Sequence, residues 1–134
     1  MIFTRRLFNG TLAAAALIAG GLLSPAAANT TVPFTAEAFK AAQASGSPIL
    51  IEIHADWCPT CKAQKPILDK LAAEPKFKEL KIFRVDFDSM KPQVREFGAN
   101  MQSTLIVFKG AAEKGRSVGE TAEASIAALL DKSL

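Results

Sequence analysis

The apolar positions of the chain fall into short blocks of two kinds. Ile49-Leu50-Ile51-Glu52-Ile53 and Thr104-Leu105-Ile106-Val107-Phe108 are nearly continuous β-branched and aliphatic runs, as expected of central strands covered on both faces. Residues 80–87 alternate apolar and polar side chains, which predicts another strand. The stretches between have helical spacing. Thr35 is placed to cap a helix through Glu37, Ala38, Phe39 and Ala42 that ends near Gly46. Residues 59–73 set Ile67, Leu68 and Leu71 on one side, with Pro66 inside, where a proline kinks a helix, and Pro75 beyond to stop it. Residues 89–97 predict a short helix terminated by Gly98. Gly110 and Gly115 bracket a turn into a short edge strand at 116–118, and an amphipathic helix from Thr121 carries Ile126, Leu129 and Leu130 inward. Strands alternate with helices, then comes a hairpin, then a helix. The class is α/β.

The first 28 residues follow another pattern. Arg5 and Arg6 give a positive start, residues 11–23 are an uncharged apolar run, and small residues follow at Ala26, Ala27 and Ala28. This is signal-peptide architecture, shorter than the ~20 apolar residues of a membrane span. Cleavage after Ala28 is expected, which leaves residues 29–134 as one domain with no stable membrane anchor. Thr4-Arg5-Arg6-Leu7-Phe8 resembles a twin-arginine export signal, from which Asn9 and Gly10 depart; a general secretory signal with a chance arginine pair is the alternative. Either route makes the protein periplasmic or otherwise exported.

Removing the leader changes the charge. Of 16 basic residues Arg5 and Arg6 leave with it, so 14 remain against 13 acidic ones and the exported part is about +1. No Lys/Arg stripe points to nucleic acid. A segment of this size buries one modest core and is expected to be a monomer.

The candidate chemistry is Trp57-Cys58-Pro59-Thr60-Cys61, set where a central strand ends and a helix begins. A thiolate is the nucleophile of disulfide exchange, and the unpaired N–H groups and partial positive charge of a helix N-terminus lower a cysteine pKa from about 8.5 into the range 3.5–7.5. Cys58, at the exposed start, is expected to attack. Cys61, one turn later on the same face, is expected to resolve the mixed disulfide. A structural staple closing so short a loop removes little unfolded-state entropy. A metal site is the sharper rival, although two cysteines supply half of a tetrahedral zinc shell and the one histidine, His54, lies in the strand before them.

At these residues the chain resembles the thioredoxin family. The resemblance spans residues 29–134 and rests on Asp56-Trp57-Cys58-Pro59-Thr60-Cys61-Lys62, Pro66, the run from Thr104 to Gly110, and Gly119. It implies a thioredoxin fold, a central mixed β-sheet with helices on both faces. It also implies a thiol–disulfide oxidoreductase that needs no cofactor beyond its Cys58–Cys61 pair, with protein thiol or disulfide substrates and an upstream redox donor or acceptor. Glu52 falls where the family keeps a buried acid beneath its disulfide, and Arg84 matches a basic residue near that acid. A carboxylate in an apolar strand is expected to have a raised pKa and to shuttle the proton of Cys61; a half-buried ion pair with Arg84 is the alternative. The resemblance places Trp57, Gln102, Ser103 and Thr104 against substrate. Core packing is the alternative for Trp57, a solvated helix position suits Lys62, and His54 either tunes the site or packs.

One position breaks the family's pattern. The loop facing the disulfide carries a cis-proline immediately before the Thr104 position, and this chain has Ser103 there, with no proline after Pro92. A non-proline cis bond costs about 2.5–4 kcal/mol, so the Gln102–Ser103 bond is expected to be trans or strained. In the family that loop pairs its backbone with substrate and the proline ring shields the thiols from metal. With serine, three readings open. Ser103 donates a hydrogen bond to the Cys58 thiolate, or the uncovered thiols take copper(I) or zinc in a metal-delivery role, or the serine is a tolerated variation.

Overall fold

The computed structural model describes residues 29–134; the expected signal peptide, 1–28, lies outside them. The elements in order are β1 (Thr31–Pro33), α1 (Ala36–Ala44), β2 (Pro48–His54), α2 (Pro59–Ala72), a 3-10 turn (Pro75–Phe77), β3 (Lys81–Asp86), α3 (Lys91–Glu96), β4 (Thr104–Lys109), β5 (Ala112–Val118) and α4 (Glu123–Asp131). The sheet order is β1-β3-β2-β4-β5. β1 and β2 run parallel to β3, whereas β4 is antiparallel to β2 and β5 to β4. This is the expected mixed sheet.

Local chemistry accounts for the element ends. The Thr35 hydroxyl accepts the Ala38 N–H and opens α1. Gly98, at φ +63°, closes the chain after α3 in a conformation that glycine adopts without cost. α2 runs from Pro59 to Ala72 with Pro66 inside it.

Two parts of the sheet differ from expectation. β5 begins at Ala112, so Gly115 sits inside the strand rather than at the turn, beside a register shift at Val107/Phe108. A Cβ at Gly115 would come within 3.0 Å of the Leu129 side chain, so the glycine is there because α4 packs directly on the strand. β1 was not expected. Three residues cannot show a period of two, and Thr31-Val32-Pro33 is a strand only because the outer edge of β3 is there to pair with it.

Two apolar layers sandwich the sheet. Leu50, Ile82, Leu105 and Val107 face Leu68 and Leu71 of α2 and Ile126, Leu129 and Leu130 of α4. Ile49, Ile51, Ile53, Phe83, Val85 and Ile106 point the other way, to Ala42 of α1 and Val94 of α3. In that second layer the Phe34, Phe39, Phe83, Phe97 and Phe108 rings meet mostly edge-on, with centroids 5.4–6.3 Å apart. Burial on both faces explains the continuous apolar runs of β2 and β4. It also explains their interruption, because Glu52 lies on the α2 side with Leu50 and faces Arg84 across the β2–β3 register.

The register brings three chain segments to one end of the sheet. β2 finishes at His54, and Ile53 pairs with Thr104 at the start of β4. Thr104 in turn pairs with Val118 at the end of β5. The cysteine segment, the Ser103 loop and the Gly119–Glu120 turn therefore meet there.

Leu105 and Ile106 are neighbours in β4 that serve opposite layers. Leu105→Ala and Ile106→Ala should each lower the unfolding free energy by about 2–5 kcal/mol in urea titrations. A loss below ~1 kcal/mol at either site would mean that its layer closes over the gap.

Candidate active site

Cys58 is the N-cap of α2. Its Sγ accepts the N–H of Cys61 at 3.1 Å, its own N–H donates to the Ala55 carbonyl at 3.1 Å, and Pro59 takes the first helical position, where a missing N–H costs nothing. A sulfur therefore occupies the place in which serine, threonine or aspartate usually caps a helix, at the positive end of the macrodipole. One expectation is corrected: Cys58 is 1 % exposed, not at an exposed start, because it clusters with Ala55 and Cys61 and Phe87 packs against that cluster.

Both thiols are free, and Cys61 is also buried. Burial first, then the hydrogen bond with the Cys58 side chain, pushes the Cys61 thiol up to about 11, against the backbone N–H groups of Ala55 and Ser103, which favour the thiolate. The two sulfurs thus differ by position. One sits at the helix cap, and the other holds its proton until chemistry removes it.

Inside β2, Glu52 is 2 % exposed and engages Arg84 with both carboxylate oxygens at 3.1–3.2 Å. The expected ion pair is therefore present, and it is more buried on the acid side than on the base side. His54 is buried as well. Its Nε2 meets the exposed Asp56 carboxylate at 3.1 Å, while Nδ1 lies 3.6 Å from Glu52 Oε1, too long for a hydrogen bond. Among the described residues no group of three or more His, Cys, Asp or Glu side chains is placed to hold a metal ion, so His54 does not complete a shell with the thiols.

Trp57 is 56 % exposed, which removes the core-packing alternative; its indole N–H donates to Asp88 at 2.7 Å. Met101, just before Ser103, is exposed too. Gln102 is half-buried, and Ser103 and Thr104 are buried. The Thr104 hydroxyl donates inward to the Met101 carbonyl at 2.7 Å. Any contact of Ser103 or Thr104 with a substrate would therefore be made by backbone.

Ser103 departs from the expected donor role. Its hydroxyl donates to the Gln102 carbonyl at 2.6 Å and not to Cys58. No peptide bond among the described residues is cis, so Gln102–Ser103 is trans, as expected; the backbone at Ser103 takes φ +56°, a left-handed value that is costly for a residue with a Cβ. Sequence reasoning missed the residue that meets this loop. Gln64, one turn beyond Cys61, is fully buried, and its amide donates to the Ser103 carbonyl at 3.2 Å and to the Glu120 carbonyl at 2.9 Å. The available signal was a polar residue on the inward face of α2, three positions after Cys61.

Comparison with known proteins agrees with this geometry. Residues 30–132 match the family model described as Thioredoxin. A thioredoxin of Chlamydia trachomatis is 38 % identical over 84 residues, covering 63 % of this chain and 80 % of that protein. Thioredoxin Asp f 29 of Aspergillus fumigatus is 30 % identical over 95 residues, 70 % of this chain and 86 % of its own. Among solved structures, Trxlp of Edwardsiella tarda superposes with a TM-score of 0.73 at 40 % identity, covering 75 % of this chain and 98 % of that one.

The raised Cys61 pKa predicts an alkaline weakness of the dithiol form. Between an ordinary thiol pKa of ~8.5 and about 11, the unfolded chain has released this proton while the folded chain still binds it, so stability falls as pH rises. The contribution is intact below pH ~8.5 and is lost as pH passes about 11. Urea titrations of reduced protein at stepped pH should show this slope, and Cys61→Ala should flatten it.

Proposed function

The chain belongs to the thioredoxin family, whose members are thiol–disulfide oxidoreductases working through their own cysteine pair, and from that premise we propose that it exchanges disulfides with protein partners outside the cytoplasm. The observation that carries the reading is Cys58 Sγ at the cap of α2, accepting the Cys61 N–H.

In the proposed cycle Cys58 attacks a partner disulfide. A Cys58–partner bond forms as the partner's own disulfide breaks, and the released partner sulfur takes up a proton. Cys61 then attacks Cys58, which releases the second partner thiol and leaves the Cys58–Cys61 disulfide. Two electrons pass from the pair to the partner. Cys61 must give up its proton in the second step, and Glu52, buried and paired with Arg84, is the group proposed to accept it and return it when an upstream donor reduces the disulfide. The exposed indole of Trp57 supplies apolar surface for a polypeptide partner, and the backbone of Gln102, Ser103 and Thr104 is the proposed docking edge for an extended chain. Export is supported by Arg5 and Arg6, the apolar run and the small residues ending at Ala28.

Three experiments test this reading. Cys61→Ser should freeze Cys58 in mixed disulfides with exported proteins, identifiable by mass spectrometry, and an exported compartment with no trapped partner would refute the protein-exchange role. Intact mass of the secreted protein should begin at Asn29; a retained Met1 would refute export with cleavage. Glu52→Gln should slow the Cys61-dependent step of insulin reduction by about 100-fold or more and remove its pH dependence, the usual scale of general acid–base assistance being roughly 10²–10⁴-fold.

A further inference from the structure

Ser103 holds a backbone conformation that its side chain resists, at the place where the family's ring would impose rigidity. Its own hydroxyl contact, to the preceding carbonyl, is local and cannot tie the loop to anything else. The loop's outside attachments run through the Ser103 backbone, whose N–H faces the Cys61 thiol and whose carbonyl accepts the Gly119 N–H at 3.0 Å and the Gln64 amide at 3.2 Å. Gln64 reaches on to the Glu120 carbonyl at 2.9 Å. A single side chain of the redox helix thus joins the Ser103 loop to the turn after β5.

The environment leaves Gln64 no other orientation. Both partners are carbonyl oxygens, so the NH2 end must face them, and Oε1 is left in the interior with no hydrogen-bond partner among the described residues. A buried acceptor without a partner is destabilising, and an apolar side chain of similar length would fill the site without it. Nothing in core packing favours glutamine here. What it uniquely supplies is a pair of donors to two loops from the helix that carries Cys58 and Cys61.

We infer that Gln64 is a positioning residue that pins the strained Ser103 loop against the redox helix, and so fixes the backbone edge on which a protein substrate is aligned. The inference rests on the reading that residues 102–104 face substrate. It assigns Gln64 and Ser103 to one device, in which the side chain supplies from the helix the rigidity that a proline would supply from within the loop.

The test uses Gln64→Met, which keeps length and volume and removes both donors, together with Ser103→Gly, which relieves the positive φ while keeping the Ser103 N–H. KM and kcat for insulin reduction are measured beside the melting temperature of the reduced protein. Gln64→Met should raise KM by about tenfold, the scale of a lost aligning hydrogen bond, with kcat changed less than about twofold and the melting temperature held near wild type. A wild-type KM in Gln64→Met overturns the inference, as does a parallel fall of KM-independent turnover and melting temperature, which would make Gln64 an ordinary core contact. If instead Ser103→Gly and Gln64→Met both leave KM unchanged while Trp57→Ala raises it, substrate docks elsewhere on the site and the reading beneath the inference is the part that fails.

Discussion

β2 is buried along all seven of its residues, parallel to β3 on one side and antiparallel to β4 on the other, with helices over both faces. A strand so enclosed cannot shift by one residue without exchanging its two core faces, so its end at His54 is fixed. The helix that follows must therefore begin at Cys58–Pro59, and the sulfur of Cys58 becomes its cap. The same enclosure makes Glu52 costly unless paired, and Arg84 stands directly opposite in the register to pair with it.

From that geometry the two cysteines take different parts. Cys58 lies at the end of the helix where unpaired N–H groups gather, a setting suited to a sulfur that carries negative charge. Cys61 is inside the same turn, and burial holds its thiol protonated far into the alkaline range. The two sulfurs are therefore not equivalent: one caps the helix and the other is buried within its first turn. The exposed Trp57 is the immediate neighbour of a nearly inaccessible Cys58.

The opposite wall of the site is built from a less economical part. Ser103 accepts a left-handed backbone, and its carbonyl is held from two directions, by the Gly119 N–H and by the Gln64 amide. Backbone strain persists where the surroundings over-determine it, and here the surroundings include the redox helix itself. Gln64 is the α2 side chain that reaches the Ser103 carbonyl.

Local pattern carried much of this protein. The β2 and β4 runs, the Thr35 cap, the α4 stripe and the placement of the cysteines at a strand-to-helix junction were all legible, because each depends on residues a few positions apart. Glu52 and Arg84 stood out as charges inside apolar strands, and Ser103 as a departure from the family's proline. The rest depended on distance along the chain. β1 is a strand because β3 offers it an edge, and Gly115 is required because Leu129 approaches it. Cys58 is covered rather than exposed because Phe87 comes back from beyond β3. Gln64 reads in sequence as one more polar helix residue; its role exists because the β2–β4–β5 register carries Ser103 and Glu120 to within hydrogen-bond reach of the same turn of α2. Periodicity specifies which face of an element is buried, whereas the partner that face meets is set by long-range pairing that no local pattern encodes.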